Sequence, residues 1–573
     1  MKTVYIYNKV KESLRTVLFL SVGSLLFTGC SDFLDIKPMN TTVLENYWKE
    51  KADVTATVQG CYEALASEAV MTRFGVWGEL RSENLVAGTN VPNHINEMLK
   101  ENLLPTNEMC QWSSVYNVIN RCNIVCHYAP EVERIDPNYT NGELKATIAE
   151  MKTIRALCYF YLIRTFRDVP YSTEPSIDDA QNYILPATPF DTVLDSLITD
   201  LESVKDDAQR RFGLERVNSL GKIVVPNVNN SYITRWAIYA LLADLYLWKG
   251  DWDNVIKYCD KVIEYKKEQY DELYQKYQIT SVDLFDGIPM VLECGKGQQA
   301  EKDGGSGYNE IFGEGNSFES VFELYFDGSN SGKENRWVSS YYGNQNNTKG
   351  RLKAAEFLMS EFTNNKNQLW KSQNDCRAYE SIDLQDNLIT KYAVEKVDFN
   401  LRTLGKVNVS KAYRGNNANW IFYRMSDILL MKAEALIERN ETTDWEEAFK
   451  LINIVYKRAN NVAPEATSGG LTFSDYSDSK IKMEDLVFQE RHREFLFEGK
   501  RWFDLIRIAR RDNNTERLIG YAIRKYKQDI NVTKIKLMDP NYVYYPYAKS
   551  ELKVNPLLKQ NPAYLKTEEG QLK

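Results

Sequence analysis

The sequence predicts a mainly α-helical protein, in which tetratricopeptide-like helix pairs form a scaffold for a loop-rich region with short strands. Three observations support this fold class. Apolar residues recur every three or four positions along several long segments, which is the period of a helix with a buried face. A two-helix pattern with a small residue at the helix crossing occurs twice. Between the two copies lies a long segment rich in Gly, Asn and Ser, which is typical of loops.

The N-terminal residues have the organisation of a bacterial lipoprotein signal. Basic residues precede an apolar stretch at 17–27, which is too short to cross a bilayer, since a spanning helix needs roughly 20 apolar residues. Residues 26–30, Leu-Phe-Thr-Gly-Cys, resemble a lipobox, with Phe27 where Leu is usual. We therefore expect residues 1–29 to be a signal peptide and Cys30 to carry acyl chains that anchor the protein. The alternative is a plain signal peptide, with Cys30 free or in a disulfide bond.

Composition indicates a folded body that does not bind nucleic acid. The 43% hydrophobic and 26% charged residues are typical of a globular chain. The formal net charge of −8 argues against a nucleic-acid partner, because such a partner favours a basic surface. The cysteines other than Cys30 include no CxxC pair, and most of them lie in apolar helical patterns. We therefore expect buried thiols rather than disulfides. The three histidines form no zinc motif, so we expect no metal or other cofactor and leave a structural calcium ion open.

Helical periodicity is clearest in the first third of the chain. Residues 53–65, 112–127 and 144–166 are predicted helices. The last of these is nearly free of helix breakers and ends before a turn at 167–170. It is apolar on almost all sides toward its end, which predicts a buried helix.

Residues 233–265 match the tetratricopeptide pattern of two helices joined by a tight Lys-Gly-Asp turn. The matching positions are Tyr239, Leu242, Ala243 and Tyr246 on the first helix, and Trp252, Val255, Cys259 and Val262 on the second. A looser copy follows at 420–459. Such pairs bury their faces only by stacking on neighbours. We therefore expect the helical regions 30–265 and 401–573 to form one body.

The segment 266–400 differs in composition from the regions on either side. It has long polar loops with isolated Trp and Tyr, and a predicted strand at 318–326. Loops on a rigid scaffold frequently carry binding surfaces, so we interpret 266–400 as the ligand-binding segment. The alternative is that the loops are tolerated insertions whose aromatic residues pack beneath them.

No motif indicates catalysis. The chain has no GxxxxGK[ST] phosphate loop, and residues 295–300 match the dinucleotide fingerprint without the helix that it requires. A glycosidase carboxylate pair is defined by its separation in space rather than in sequence, so none can be chosen here.

Residues 489–511 form the most distinctive block, and their local spacing indicates a mainly structural role. Glu490 and Arg493, and likewise Arg491 and Glu494, are three positions apart on a predicted helix and can pair. Glu494 and Glu498 are four positions apart, so the two carboxylates need basic neighbours.

This block resembles the most recognisable part of the SusD/RagB family of outer-membrane lipoproteins. Further blocks resemble the family in its own order, at 30–38, 77–84, 155–171, 240–252, 424–436 and 544–564. Arg167 stands where the family often has Gly, and His492 stands where Arg is common.

The resemblance implies a SusD-like fold and a binding protein rather than an enzyme. It implies a lipid-anchored protein on the outer face of the outer membrane, where Asp32 and Asp35 look like a surface-export signal. There it would capture a glycan or oligosaccharide and deliver it to a SusC-like TonB-dependent transporter. The alternatives are a RagB-type peptide uptake protein, a surface glycoside hydrolase, and a scaffold that binds only the transporter.

The resemblance also implies a binding face built on aromatic rings, because a pyranose presents an apolar C–H face and a rim of hydroxyls. Trp77 and Arg81 stand where family members contribute to that face. Trp337, Tyr341 and Tyr342 lie in the loop-rich segment, where a second aromatic wall is expected. Candidate polar partners are Asn335 and Asn344. For each aromatic residue the alternative is packing in the core.

Overall fold

The computed structural model describes residues 47–177, 184–214, 216–217, 223–224, 227–293, 303–328, 334–343, 350–359, 369–372, 374–400 and 408–565. Across these ranges the chain is mainly helical with short strands, so the predicted fold class is confirmed. The predicted signal peptide and Cys30 lie outside the described residues. None of the helices in these ranges combines the length and the apolar character needed to cross a bilayer.

The helices follow one another through the whole described chain. They are α1 Lys51–Leu65, α2 Glu68–Glu79, α3 Asn93–Leu99, α4 Ser113–Ile135, α5 Asn141–Phe166, α6 Phe190–Glu202, α7 Asn227–Ser231, α8 Arg235–Lys249, α9 Trp252–Tyr277, α10 Ser306–Tyr308, α11 Cys376–Ser381, α12 Met425–Arg439, α13 Asp444–Ala459, α14 Lys480–Glu494, α15 Arg501–Asp512, α16 Glu516–Ala522, α17 Ile530–Leu537 and α18 Lys549–Val554.

The strands pair in small antiparallel sheets. They are β1 Leu85–Ala87, β2 Val169–Pro170, β3 Ala187–Thr188, β4 Arg216–Val217, β5 Ile223–Val224, β6 Val282–Phe285, β7 Ile288–Val291, β8 Asp303–Gly304, β9 Ser320–Leu324, β10 Leu352–Ala354, β11 Ile382–Asp383, β12 Leu388–Ile389, β13 Val394–Asn400, β14 Asn408–Tyr413 and β15 Trp420–Arg424. The four-stranded sheet has the order β1-β10-β12-β11, and β14-β13-β8 form a three-stranded sheet. The predicted strand at 318–326 is β9, which pairs with β15.

The three predicted N-terminal helices are α1, α4 and α5, and each is longer than predicted, α4 by the largest margin. Helix α4 continues through Pro130 to Ile135, although proline removes a backbone hydrogen bond. Helix α5 begins at a capping box, in which the Thr140 hydroxyl accepts from the backbone N–H of Glu143. Every residue from Thr153 to Phe166 is buried, as the apolar pattern predicted.

The tetratricopeptide-like pair consists of α8 and α9, and its predicted core positions are buried except for Trp252, which is half-buried. Gly250 ends α8 in the left-handed conformation with φ of 80°, which costs glycine little. The carboxylate of Asp251 then accepts from the backbone N–H of Asn254 at 3.2 Å and begins α9. Helix α9 continues to Tyr277, beyond the predicted end at residue 265, because Tyr270 and Leu273 extend its buried face.

The second pair consists of α12 and α13, where Asn440 takes the left-handed position that Gly250 takes in the first pair. Helix α9 packs against α12, and α2 packs against α15. The helices before and after the loop-rich segment are therefore in direct contact. The division of the chain at residues 266 and 401 stays a prediction.

Candidate functional site

Trp77 lies on the inner face of α2 and has no exposed area. Its indole N–H donates to the backbone carbonyl of Met109 at 2.8 Å. Its ring packs edge-on against Phe166, with 5.4 Å between ring centroids. Both the apolar surface and the single donor of this side chain are therefore satisfied within the protein.

Arg81 follows α2 and is equally buried. Its guanidinium pairs with Glu101 at 2.7 Å and donates to the backbone carbonyl of Val543 at 2.8 Å. It also lies 4.5 Å from the centroid of the Trp502 ring. Arg81 thus holds the C-terminal segment against the N-terminal helices.

The structure brings Trp337, Tyr341 and Tyr342 together in one cluster, beneath the surface. The Trp337 ring lies 4.7 Å from that of Tyr341 and 5.3 Å from that of Tyr342. It fills the space beside Gly75, where an added Cβ would come within 2.2 Å of the indole. The Tyr342 hydroxyl donates to the backbone carbonyl of Phe497 at 3.0 Å.

The predicted aromatic binding face is therefore not an open surface in this structure. A ring must expose one face in order to stack on a sugar, and these residues have no such face free. In this structure Trp77, Arg81, Trp337, Tyr341 and Tyr342 pack in the protein interior. Their assignment as ligand-binding residues stays a prediction. Asn335 is also buried and donates to the backbone carbonyl of Ala418 at 2.9 Å. Asn344 lies outside the described residues.

The distinctive C-terminal block forms a buried network of charges centred on Glu494. Its carboxylate accepts from Arg424 at 2.6 Å, from Arg377 at 2.8 Å and from Ser426 at 2.9 Å. Arg458 also donates to it. Burial raises the pKa of Glu494, but Arg458, Arg424 and Arg377 outweigh that effect and hold the pKa well below its usual value.

The expectation that opposite charges three positions apart on a helix pair with each other holds for only part of this block. Glu490 and Arg493 pair at 2.7 Å, as their spacing predicted. Arg491 instead pairs with Asp504 of α15 at 3.0 Å, so its predicted pairing with Glu494 is wrong. The two residues are close in sequence, but each faces a different neighbouring element.

Glu494 and Glu498 have the basic neighbours that their spacing demanded. Arg424 bridges them, with 2.7 Å to Glu498, and Lys391 pairs with Glu498 at the same distance. The cavity beside this network has a volume of about 10 Å³, which leaves room for about one water molecule. The network is thus a closed structural element without access for a substrate.

A separate, open cleft of about 420 Å³ lies where α6, α12 and α15 meet the turn between α8 and α9. Its lining comprises Asp191, Leu194, Asp195, Leu247, Trp248, Lys249, Gly250, Trp252, Glu434, Arg507, Arg510 and Arg511. Trp252 is half-buried and lies across the turn, since a Cβ added to Gly250 would meet its ring at 3.6 Å. Trp248 is more deeply buried and packs near Phe160 and Phe190.

Charged groups around this cleft are paired with one another. Arg510 binds Asp191 at 2.9 Å and stacks at 3.9 Å over Phe190. Lys249 binds Asp195 at 2.7 Å. Arg507 binds Glu434 at 2.7 Å, beneath the surface. No group of three or more His, Cys, Asp or Glu side chains that could hold a metal ion occurs among the described residues.

Comparison with known proteins agrees with this architecture. The model of the SusD family matches residues 282–564, which include the buried charge network. The chain belongs to the SusD family. SusD-like protein P38 of Formosa agariphila is 24% identical over 569 residues, covering 96% of this chain and 99% of that protein. SusD-like protein P25 of the same organism is 23% identical, covering 93% of this chain and 96% of that protein.

Solved structures share the SusD-family fold. A SusD homolog from Bacteroides thetaiotaomicron has a TM-score of 0.63 and 16% identity, covering 91% of this chain and 98% of its own. A laminarin-binding SusD-like protein has a TM-score of 0.58 and 17% identity, covering 90% of this chain and all of its own. At these identities the likeness is one of fold.

Sequence reasoning did not identify the cleft of this SusD-family protein. It placed Trp252 in the packing of the helix pair and assigned no role to Trp248. The sequence does show that Trp248 and Trp252 flank a tight turn, four positions apart, and this was the local indication of one wall of the cleft. The other walls come from α6, α12 and α15, so no sequence spacing could have brought them together.

Proposed function

We propose that this protein is a cell-surface lipoprotein that binds a glycan and delivers it to a SusC-like TonB-dependent transporter. Membership of the SusD family carries this proposal. A laminarin-binding protein that shares the fold over 90% of this chain supports a glycan as the ligand. On this proposal the protein captures its ligand without chemical change and without a cofactor.

The structure supports a binding role in two further respects. The carboxylates of Glu494 and Glu498 are held in buried ion pairs with Arg424, and the cavity beside them is too small for a sugar. The open cleft, by contrast, has a volume within the range of roughly 300–1,000 Å³ that is common for ligand sites.

Calorimetry with the purified mature protein in detergent tests the binding function. We expect saturable binding of at least one of laminarin, soluble starch and xylan, with no release of reducing ends after prolonged incubation. Release of reducing ends would indicate a glycoside hydrolase instead. Binding of peptides with no binding of the polysaccharides would indicate a peptide uptake protein.

Membrane fractionation tests the anchor. We expect the wild-type protein in the outer-membrane fraction and accessible to protease added to whole cells. Cys30→Ala removes the sulfur that would carry the acyl chains, so the variant should leave the membrane fraction or remain unprocessed. An unchanged membrane fraction would contradict the lipid anchor.

Co-purification tests the partner. The detergent-solubilised protein should bring with it a transporter of outer-membrane barrel type from the native membrane. A protein that binds glycan but never co-purifies with such a transporter would contradict the delivery step.

A further inference from the structure

We propose that the cleft between α6, α12, α15 and the α8–α9 turn is a subsite for the pyranose rings of a neutral glycan, with Trp252 as its stacking platform. This inference rests on the proposed glycan-binding function. It assigns to the first tetratricopeptide-like pair a role in ligand contact, in addition to its role in the scaffold.

The tight turn keeps Trp252 at the surface. Gly250 turns the chain in the left-handed conformation, and the Trp252 ring lies back across that turn. Neighbouring positions on α9, such as Val255 and Cys259, have no exposed area. Trp252 thus presents apolar ring surface to the cleft, as stacking against the C–H face of a sugar requires.

Trp248 adds a donor that the protein itself does not use. The side chain lines the cleft and is more than nine-tenths buried. Its indole N–H is buried and has no hydrogen-bond acceptor within the described part of the chain. A buried donor without an acceptor is costly, so a ligand hydroxyl that reached this N–H through a shift of the Trp248 side chain would be favoured as its acceptor.

The rim suits hydroxyl groups rather than a charged ligand. Three carboxylates and four basic groups line the cleft, so their charges nearly balance. Arg510 and Lys249 already have carboxylate partners, and an anionic ligand would have to compete with those partners. The carboxylate of Asp191 is 81% exposed, so its ion pair is weak and both groups can also bind adjacent hydroxyls.

The second helix pair provides a matched control. Trp445 lies in the first turn of α13 directly after an aspartate, as Trp252 lies at the start of α9 directly after Asp251. Trp445 is half-buried like Trp252 but does not line the cleft. The two substitutions to alanine therefore remove the same side chain from equivalent places in the fold.

The test is calorimetry with full-length mature protein and laminarin, soluble starch and xylan. Trp252→Ala should weaken binding of the recognised polysaccharide by about tenfold, the equivalent of one aromatic contact. Trp445→Ala should leave the affinity within about twofold of the wild type. Asp191→Asn, at an exposed position where folding is not at risk, should weaken binding by a smaller factor.

The outcomes separate this inference from the proposed function. If both Trp252→Ala and Asp191→Asn bind the polysaccharide with the affinity of the wild type, the cleft assignment is overturned and glycan capture is left intact. Equal losses in Trp252→Ala and Trp445→Ala, with matching losses of thermal stability and no effect of Asp191→Asn, would also overturn it. Failure of the wild type to bind any of the three polysaccharides would overturn glycan capture and the subsite together.

Discussion

Glu494→Gln tests whether the buried charge network stabilises the fold. Glutamine keeps the size of the side chain but removes the negative charge and replaces one carboxylate oxygen with an NH₂ donor. In the native network Arg377 donates to one oxygen of Glu494, while Arg424 and Ser426 donate to the other. In either orientation the glutamine amide directs its NH₂ group at a donor that needs an acceptor.

The expected loss follows from the burial of all partners. Glu494 and Arg424 are each 1% exposed, and Arg377 is 4% exposed, so water cannot replace the lost acceptor. Removing one member of a buried ion pair typically costs about 3–5 kcal/mol, because the remaining charge is left without compensation. Since Glu494 serves several guanidinium groups, we expect a loss of unfolding free energy in that range.

Urea unfolding followed by intrinsic tryptophan fluorescence measures this loss. Glu446→Gln is the matched control, because Glu446 lies at the exposed start of α13. Its substitution should change stability by about 0.5 kcal/mol or less. A loss below about 1 kcal/mol for Glu494→Gln, similar to the control, would refute the idea that this network requires a charged centre.

Three further predictions address packing, acid stability and the predicted binding face. Gly78→Ala places a Cβ within 1.8 Å of the Gly499 carbonyl oxygen, so thermal unfolding should show a loss of several kcal/mol of unfolding free energy. The control is Gly142→Ala, whose Cβ meets no atom within 4 Å; this variant should be slightly more stable than the wild type. Burial raises the pKa of Glu498, but nearby cations outweigh burial and lower it to about 2. The ionised Glu498 should therefore stabilise the fold by about 3 kcal/mol, fully above about pH 4.5 and progressively less as the pH falls toward 2. Glu498→Gln should accordingly show a smaller loss of unfolding free energy than the wild type between pH 4.5 and pH 2. Trp77→Ala should cost about 3–5 kcal/mol yet leave glycan affinity unchanged at temperatures where the variant is folded, and a selective loss of affinity would restore Trp77 as a binding residue.

Local sequence patterns predicted the helices well because a helix is specified by neighbours three and four positions apart. The apolar period of α5 and the Lys-Gly-Asp turn between α8 and α9 required no distant residue to be recognised. Pairing within one helix turn was correct for Glu490 and Arg493, for the same reason. It was wrong for Arg491, whose partner Asp504 lies on another helix.

The burial of the aromatic residues chosen for the binding face could not be predicted from local patterns. Aromatic residues in Gly- and Asn-rich segments can face solvent or fill the core, and their local sequence is the same in both cases. The absence of a Cβ at Gly75 is what lets the Trp337 ring pack against α2, and that contact joins residues far apart in the chain. Burial there is decided by a neighbour that sequence periodicity does not identify.

The sequence by itself determined the helix pairs, the loop-rich segment and the resemblance to the SusD family, since these depend on local periodicity and on ordered blocks. Only the tertiary structure decided which aromatic residues are buried and which charges meet. It alone brought Trp252 to the same cleft as Asp191 and Arg510. The physical reason is that burial and ion pairing depend on surfaces contributed by separate helices, whose meeting is set by packing of the whole chain.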